Sequence, residues 1–376
     1  MSSPAFRKEI TANSTIVVKV GSRILTSQDN VPNLRRVGGL VDAIALLVRS
    51  RRRVLLVSSG AIAHGMMALR YKKRPSTIPE KQACASIGQI RLMNMYESLF
   101  SKHGVPIGQV LLSWDDLRDK KRYLNLRNTL FQLFDMAAVP IINENDSVAV
   151  EEIRFGENDT LAAQLSMLVQ ADLFVNLTDI NGLYDANPAV SSEARQIPVV
   201  QSITPAIHRY ASESSSEISV GGMRTKLKAA EMVTRAGITA LIGDGFHRTL
   251  QQVLADPQAG TLFLAGEKKM SARHRWIAFT GQPRGTVTID TGAMRAITEK
   301  GKSLLPAGIQ KISGTFKTGD MVDIQDAERR VIGRGLANYS SVEAEKIAGC
   351  KTADIAARLG QKAFDEFIHR DNLVIL

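Results

Sequence analysis

At 376 residues the chain is long for one domain, and its length favours two. Hydrophobic residues at 44% and charged residues at 23% match an ordinary globular protein, and the absence of any run approaching eighteen apolar residues argues against a transmembrane span. The formal charge of +11 is spread along the chain: residues after 270 hold 16 basic and 12 acidic side chains of the totals 48 and 37, which leaves 32 and 25 before them, so neither part holds the excess alone and the charge by itself does not support a dedicated nucleic-acid surface.

The chain opens MSSPAFRKEITANS, which lacks the apolar core of a secretory signal, and Glu9 argues against an organelle transit peptide. Cys84 and Cys350 are the only cysteines, so there is no disulfide framework and no CxxC metal knuckle; a reducing cytoplasm is the simplest setting. Ile16 to Val20 is a β-branched run ending in Gly21-Ser22, as expected of a buried parallel strand. Asn33 to Val48 has helical spacing, Val54 to Val57 reads as a strand running into Ser58-Ser59-Gly60-Ala61, and Glu80 to Phe100 predicts a long helix. Pro106 to Leu112 (strand), Leu124 to Met136 (helix) and Val139 to Ile142 (strand) follow. The stretch NENDSVAVEEIRFGEND then sets one acidic-amide cluster, Asn143 to Asp146, at a strand end and a second, Glu157 to Asp159, at a helix start, with a hairpin expected over 147–155. A helix to Val169, a strand over Leu173 to Leu177, the Ser-rich patch Tyr210 to Ser219 read as an exposed loop, a helix over Met223 to Arg235 and a strand over Thr239 to Ile242 complete this part. Strands alternate with helices, so the fold class is α/β with a mainly parallel open sheet sandwiched by helices.

Beyond Leu264 the composition changes. GEKKMSARHR is polar and charged and reads as a linker, and Gly285 to Ile289, Gly308 to Phe316, Asp320 to Ile324 and Val331 to Leu336 are short strand-like pieces. With helical pieces at Thr291 to Lys300 and Ser341 to Ala348 they predict a small β-rich domain. The expected division is a catalytic domain over 1–266, a linker over 267–275 and a second domain with a C-terminal extension over 276–376.

Ligands of open α/β sheets bind beyond the carboxyl ends of the strands. Those ends carry Lys19-Val20-Gly21-Ser22, Ser58 to Ala61, Asn143 to Asp146, Thr178-Asp179 and Gly243-Asp244. Lys19 ends an apolar strand, where a charge is expensive unless an anion meets it; snorkelling of its stem is the structural alternative. Ser59-Gly60-Ala61 opens a helix whose amides suit an anion, although helices need caps in any case. Gly221-Gly222-Met223-Arg224-Thr225-Lys226 starts a helix with paired glycines and a lysine one turn in. GxxxxGK followed by Ser or Thr, GxGxxG, HExxH and GxSxG are all absent, and the six histidines lack ligand spacing. What remains is two lysines, glycine-rich turns and a carboxylate-amide cluster, which is what phosphoryl transfer asks of a protein: positioning and positive charge.

Together, VVKVGSRILT, VSSGAIAHG, QACASIGQIRLM, NLRNTL, PIINENDSVAVEEIRFGEND, LTDINGLYDANP and GGMRTKLKAA resemble the amino acid kinase family, in its glutamate-phosphorylating branch. DTGAMRAITEKGKSLLPAGI and NYSSVEAEKIAG resemble the PUA domain appended to many bacterial members of that branch. The resemblance implies the amino acid kinase fold plus a small β-rich PUA domain, and transfer of the ATP γ-phosphoryl group to the side-chain carboxylate of L-glutamate, the first step of proline synthesis. Lys19 and Lys226 would neutralise charge in the transition state, with Asp159 organising them. Ser59, Asp146 and Asn158 would bind glutamate. Thr178, Asp179 and the loop Val220, Gly221, Gly222, Met223, Arg224, Thr225, Lys226 would bind ATP, with Mg2+ entering on the nucleotide. The family further implies inhibition by proline and a homo-oligomer, dimer or tetramer. Two positions depart from the pattern: Glu157 stands where Asp is common, and Val220 where Thr often precedes the glycines. A sister aspartokinase is disfavoured by the PUA-like end. The reading from another class, an RNA-binding protein with a secondary kinase-like domain, rests on net charge and that same end.

Overall fold

The computed structural model describes residues 15–26, 32–148, 158–188, 190–213, 222–266 and 270–376. The expected hairpin beyond Val148, Glu157, Val220 and Gly221 lie outside them. The described residues divide into two compact units, one of residues 15–116 and 121–266 and the other of residues 117–120 and 270–376.

The first unit is built on an eight-stranded sheet in the order β3-β4-β2-β1-β5-β7-β8-β6. Its strands are β1 (Thr15–Val20), β2 (Arg53–Val57), β3 (Ile107–Leu112), β4 (Val139–Glu144), β5 (Leu173–Thr178), β6 (Val199–Val200), β7 (Thr239–Asp244) and β8 (Thr261–Phe263). β1 to β5 and β7 pair in parallel, whereas β8 runs antiparallel to β7. Every residue of β1, β4, β5 and β7 is buried, which explains why they read as apolar runs without alternation. The helices used below are α1 (Leu34–Arg49), α2 (Ala61–Ala68), α3 (Ile78–Phe100), α4 (Lys120–Asp135), α5 (Asn158–Leu168), α6 (Met223–Arg235) and α7 (Leu250–Ala255). Asn33 caps α1, and a Thr77–Glu80 capping box starts α3.

Strand parity decides what reaches the site. Ile16, Val18 and Val20 enter one core with Val37 and Ile44 of α1, Leu92 and Tyr96 of α3 and Val253 of α7. Val17 and Lys19 therefore face the opposite side of the sheet, where α5 packs on β1 and β5, and α6 packs on α5. The short helices also hold the frame. A Cβ on Gly88 of α3 would lie 1.8 Å from the Ala61 carbonyl oxygen, and one on Gly65 of α2 the same distance from that of Cys84, so α2 and α3 cross backbone to backbone. Four helix ends take a left-handed residue other than glycine: Arg51, Arg70, Ala137 and Gln170, with φ between 54° and 60°. At the end of α6 the same place is Gly237, φ 81°.

One sequence expectation changes here. Tyr210 to Glu213 belong to a helix, Pro205–Glu213, with Ala211 buried, because Ile207, Tyr210 and Ala211 share an apolar side that the Ser-rich composition conceals; residues 214–219 of the expected loop lie outside the described residues. In the expected linker, Ala272–Arg275 form a helical turn that continues into a π-helical turn, Trp276–Thr280.

The second unit holds a five-stranded sheet, β10-β9-β11-β12-β13: β9 (Gly285–Ile289), β10 (Ile309–Gly314), β11 (Met321–Gln325), β12 (Val331–Leu336) and β13 (Leu373–Ile375). Val287, Ile289, Phe316, Ile324 and Phe367 join α8 (Thr291–Thr298) and α9 (Ser341–Ile347) in one core, and a smaller cluster gathers Ile277, Met321, Leu336 and Val374.

Candidate active site

The carboxyl end of β1 delivers Lys19, whose register partners are Val57 of β2 and Asn176 of β5. The ammonium Nζ lies 2.7 Å from Asp159 Oδ1, and Asp159 sits in the first turn of α5, where a carboxylate also meets the favourable end of the helix dipole. Asn176 donates from Nδ2 to the same oxygen at 3.0 Å. The other oxygen, Oδ2, accepts from Thr225 Oγ1 at 2.8 Å and faces Lys226 Nζ at 4.0 Å. One carboxylate thus gathers donors from β1, β5 and α6.

Electrostatics follow from this packing. Burial pushes the Asp159 carboxyl up, but the Lys19 and Lys226 charges, with hydrogen bonds from Lys19 and Thr225, outweigh it and hold the group down at about 2. Burial likewise lowers Lys226 from the ordinary lysine value; Asp159 opposes that shift and Lys19 reinforces it. A Cβ on Gly21 would lie 4.0 Å from Lys19 Nζ, so the glycine keeps space beside the ammonium open.

The second group of residues surrounds the end of β2. Gly60 adopts φ 99° as the residue before α2, a conformation that favours glycine. Ser58, fully buried, bonds Tyr96 of α3 through its hydroxyl at 3.0 Å. Asn158, preceding Asp159, donates from Nδ2 to Ser59 Oγ at 2.9 Å and to the Ser58 carbonyl at 3.2 Å, while its Oδ1 is buried with no hydrogen-bond partner among the described residues. Asn143 is held by donation to Gln89 Oε1, and the backbone N–H of Asn145 donates to the Leu112 carbonyl; Asp146 follows, half-buried.

The third group lies at the end of β5. Thr178 Oγ1 donates to Asp179 Oδ1 at 3.0 Å, and Arg23 Nη1 bonds Asp179 Oδ2 at 2.7 Å. Gly222 precedes α6 and its carbonyl accepts from Thr225. Met223 is buried, while Arg224 is exposed. Lys19, Asp159, Thr225 and Lys226 are therefore in one cluster; Ser59 joins Asn158; Thr178 joins Asp179. Asp244 instead caps its own turn, accepting from the backbone N–H groups of Phe246 and His247.

Residues 14–244 match the amino acid kinase family, and residues 285–359 match the PUA domain. The chain belongs to the amino acid kinase family. It is 45% identical over 372 residues to the glutamate 5-kinase of Syntrophus aciditrophicus, covering 98% of this chain and 96% of that protein. A glutamate 5-kinase of Thermoanaerobacter sp. is 46% identical over 362 residues, 96% of this chain and 97% of the relative. That of Pseudomonas entomophila is 43% identical over 371 residues, covering 98% and 100%. Among the described residues, no helix is long and apolar enough to cross a membrane.

Two residues of the cluster were not singled out from the sequence. Asn176 interrupts an otherwise apolar strand, LFVNLT, and that buried amide was a readable signal. Arg23 had no signal of its own, because its partner lies 156 residues away.

Proposed function

We infer that this chain is a glutamate 5-kinase, forming L-glutamyl 5-phosphate and ADP from L-glutamate and ATP at the first step of L-proline biosynthesis. The observation that carries the reading is the single buried carboxylate, Asp159, shared by Lys19 and Lys226. Two fixed cations on opposite sides of one anchor are placed to receive the charge that spreads over a transferring phosphoryl group, at no reorganisation cost.

ATP supplies the γ-phosphoryl group, and the glutamate side-chain carboxylate attacks phosphorus as the bond to the bridging oxygen breaks; Mg2+ bound with the nucleotide would supply positive charge against the polyphosphate. The carboxylate nucleophile is already deprotonated, so no general base is required, which fits a site built of cations. Asp159, already engaged by Lys19, Lys226, Thr225 and Asn176, fits a positioner of cations, and Mg2+ would be held by the nucleotide phosphates.

For glutamate, the buried Oδ1 of Asn158 offers an acceptor, Ser59 a hydroxyl and Asp146 a carboxylate for the α-ammonium. For ATP, the reading assigns Thr178 and Asp179 together with Val220, Gly221, Gly222, Met223, Arg224, Thr225 and Lys226, of which Met223 is buried. The same reading assigns residues 1–266 to the kinase domain and the end of the chain to the PUA domain. It carries inhibition by proline, a homo-oligomer (dimer or tetramer) and a cytoplasmic setting. Hydroxamate trapping of the acyl phosphate tests it: glutamate should far exceed aspartate and N-acetylglutamate, and preference for either of those would refute it.

A further inference from the structure

We propose that Arg23 is a third cation of the nucleotide site, a positioning residue that grips the polyphosphate while Asp179 holds it in place. Arg23 lies in the short helix Ser22–Leu25 that follows directly from the end of β1, four residues beyond Lys19. The Gly21 backbone N–H donates to the Leu177 carbonyl, which fastens this turn to the end of β5, beside Thr178 and Asp179.

Asp179 is a built anchor for a guanidinium. Its Oδ1 accepts from Thr178, its Oδ2 takes Arg23 Nη1 at 2.7 Å, and its carboxyl is only 28% exposed. Burial pushes this carboxyl up, but the bond from Arg23 leads the effects that bring it below the usual carboxylate range. The Arg23 side chain itself is 63% exposed. A guanidinium presents five donors in a planar fork, and the described residues engage only Nη1. The anchor lies at the same strand ends that carry Lys19, and both Arg23 and Asp179 act electrostatically on Lys226. An exposed ion pair contributes little to stability, so a structural strut explains this arrangement poorly. A polyphosphate reaching the strand ends that carry Lys19 and Lys226 would come within range of the Arg23 charge, which already acts on Lys226.

This inference rests on the kinase reading and adds which residue sets polyphosphate affinity. Titration calorimetry of the full chain with adenosine, AMP, ADP and Mg-ATP tests it, comparing Arg23→Gln and Arg23→Lys with the parent. Arg23→Gln should leave adenosine binding unchanged and weaken ADP and ATP about tenfold, the worth of one charge-assisted hydrogen bond. Arg23→Lys should keep most of the affinity. Equal losses for adenosine and ATP, or a lowered melting temperature with ATP binding intact, would overturn the proposal and make Arg23 a strut. A parent chain that traps glutamyl phosphate while Arg23→Gln binds ATP normally sinks this inference alone; a parent that binds no ATP sinks both.

Discussion

Burial alone would make Asp159 a weak acid, and Lys19 at 2.7 Å and Lys226 at 4.0 Å reverse that outcome. The folded value of about 2 lies below the ordinary 3.8, so the folded state is the poorer proton binder. Its stabilisation is present above about pH 4 and is lost as pH falls towards 2, an amount on the order of 2 kcal/mol. Urea titrations across that window should show the parent converging on Asp159→Asn. At neutral pH Asp159→Asn leaves two buried ammonium groups without their counter-charge and should cost about 2–3 kcal/mol. Lys226→Ala behaves differently: burial already disfavours that charge, so its removal should leave the circular dichroism and melting temperature near those of the parent while turnover falls at least about a hundredfold. Lys19 was legible in the sequence because a charge inside an apolar strand demands a partner. Its partnership with Asp159 was not derivable from spacing, since 140 residues separate them and only the α5 crossing brings them together.

At the scale of elements, the α2–α3 crossing fixes the loop from Ser58 to Gly60 that holds Asn158. Gly88→Ala would force the helices apart, because the new methyl would overlap the Ala61 carbonyl. The expected result is a loss of about 3 kcal/mol in urea unfolding together with a raised KM for glutamate and little change in KM for ATP. Neither glycine advertises this contact in the sequence; each reads there as a weak spot in a helix. The long parallel strands and capped helices were legible because burial on both faces leaves unbroken apolar runs, and Thr77 with Glu80 marks a helix start. β6 and β13 were not, being two and three residues long, too short to carry a period, and β8 reverses direction beside β7 for a reason that appears only in its pairing. The first four residues of the Ser-rich patch, Tyr210 to Glu213, misled because composition was read over a helix end.

For the whole molecule, each unit has its own buried cluster, so each should unfold cooperatively when expressed alone. Within the second unit, Met270 packs against the cluster of Ile277, Met321, Leu336 and Val374, although the polar sequence around it reads as linker. A fragment of residues 270–376 should therefore melt roughly 5 °C above one that begins at 276, by circular dichroism. Charge asks less of the whole molecule than +11 suggests, because excess basic residues are divided between both parts and several, among them Arg23, Arg248 and Arg330, are engaged by carboxylates.

The four left-handed helix ends give the experimenter a tool. Arg51, Arg70, Ala137 and Gln170 are exposed, and the N–H groups there close each helix in the same way that Gly237 closes α6. Glycine at these four places should each add about 0.5–1 kcal/mol, since it relieves the steric penalty of that backbone at some entropic cost. None of the four touches the lysine–aspartate cluster. The quadruple variant would be a hardened background in which Asp159→Asn keeps a wider margin of stability while its chemistry is measured.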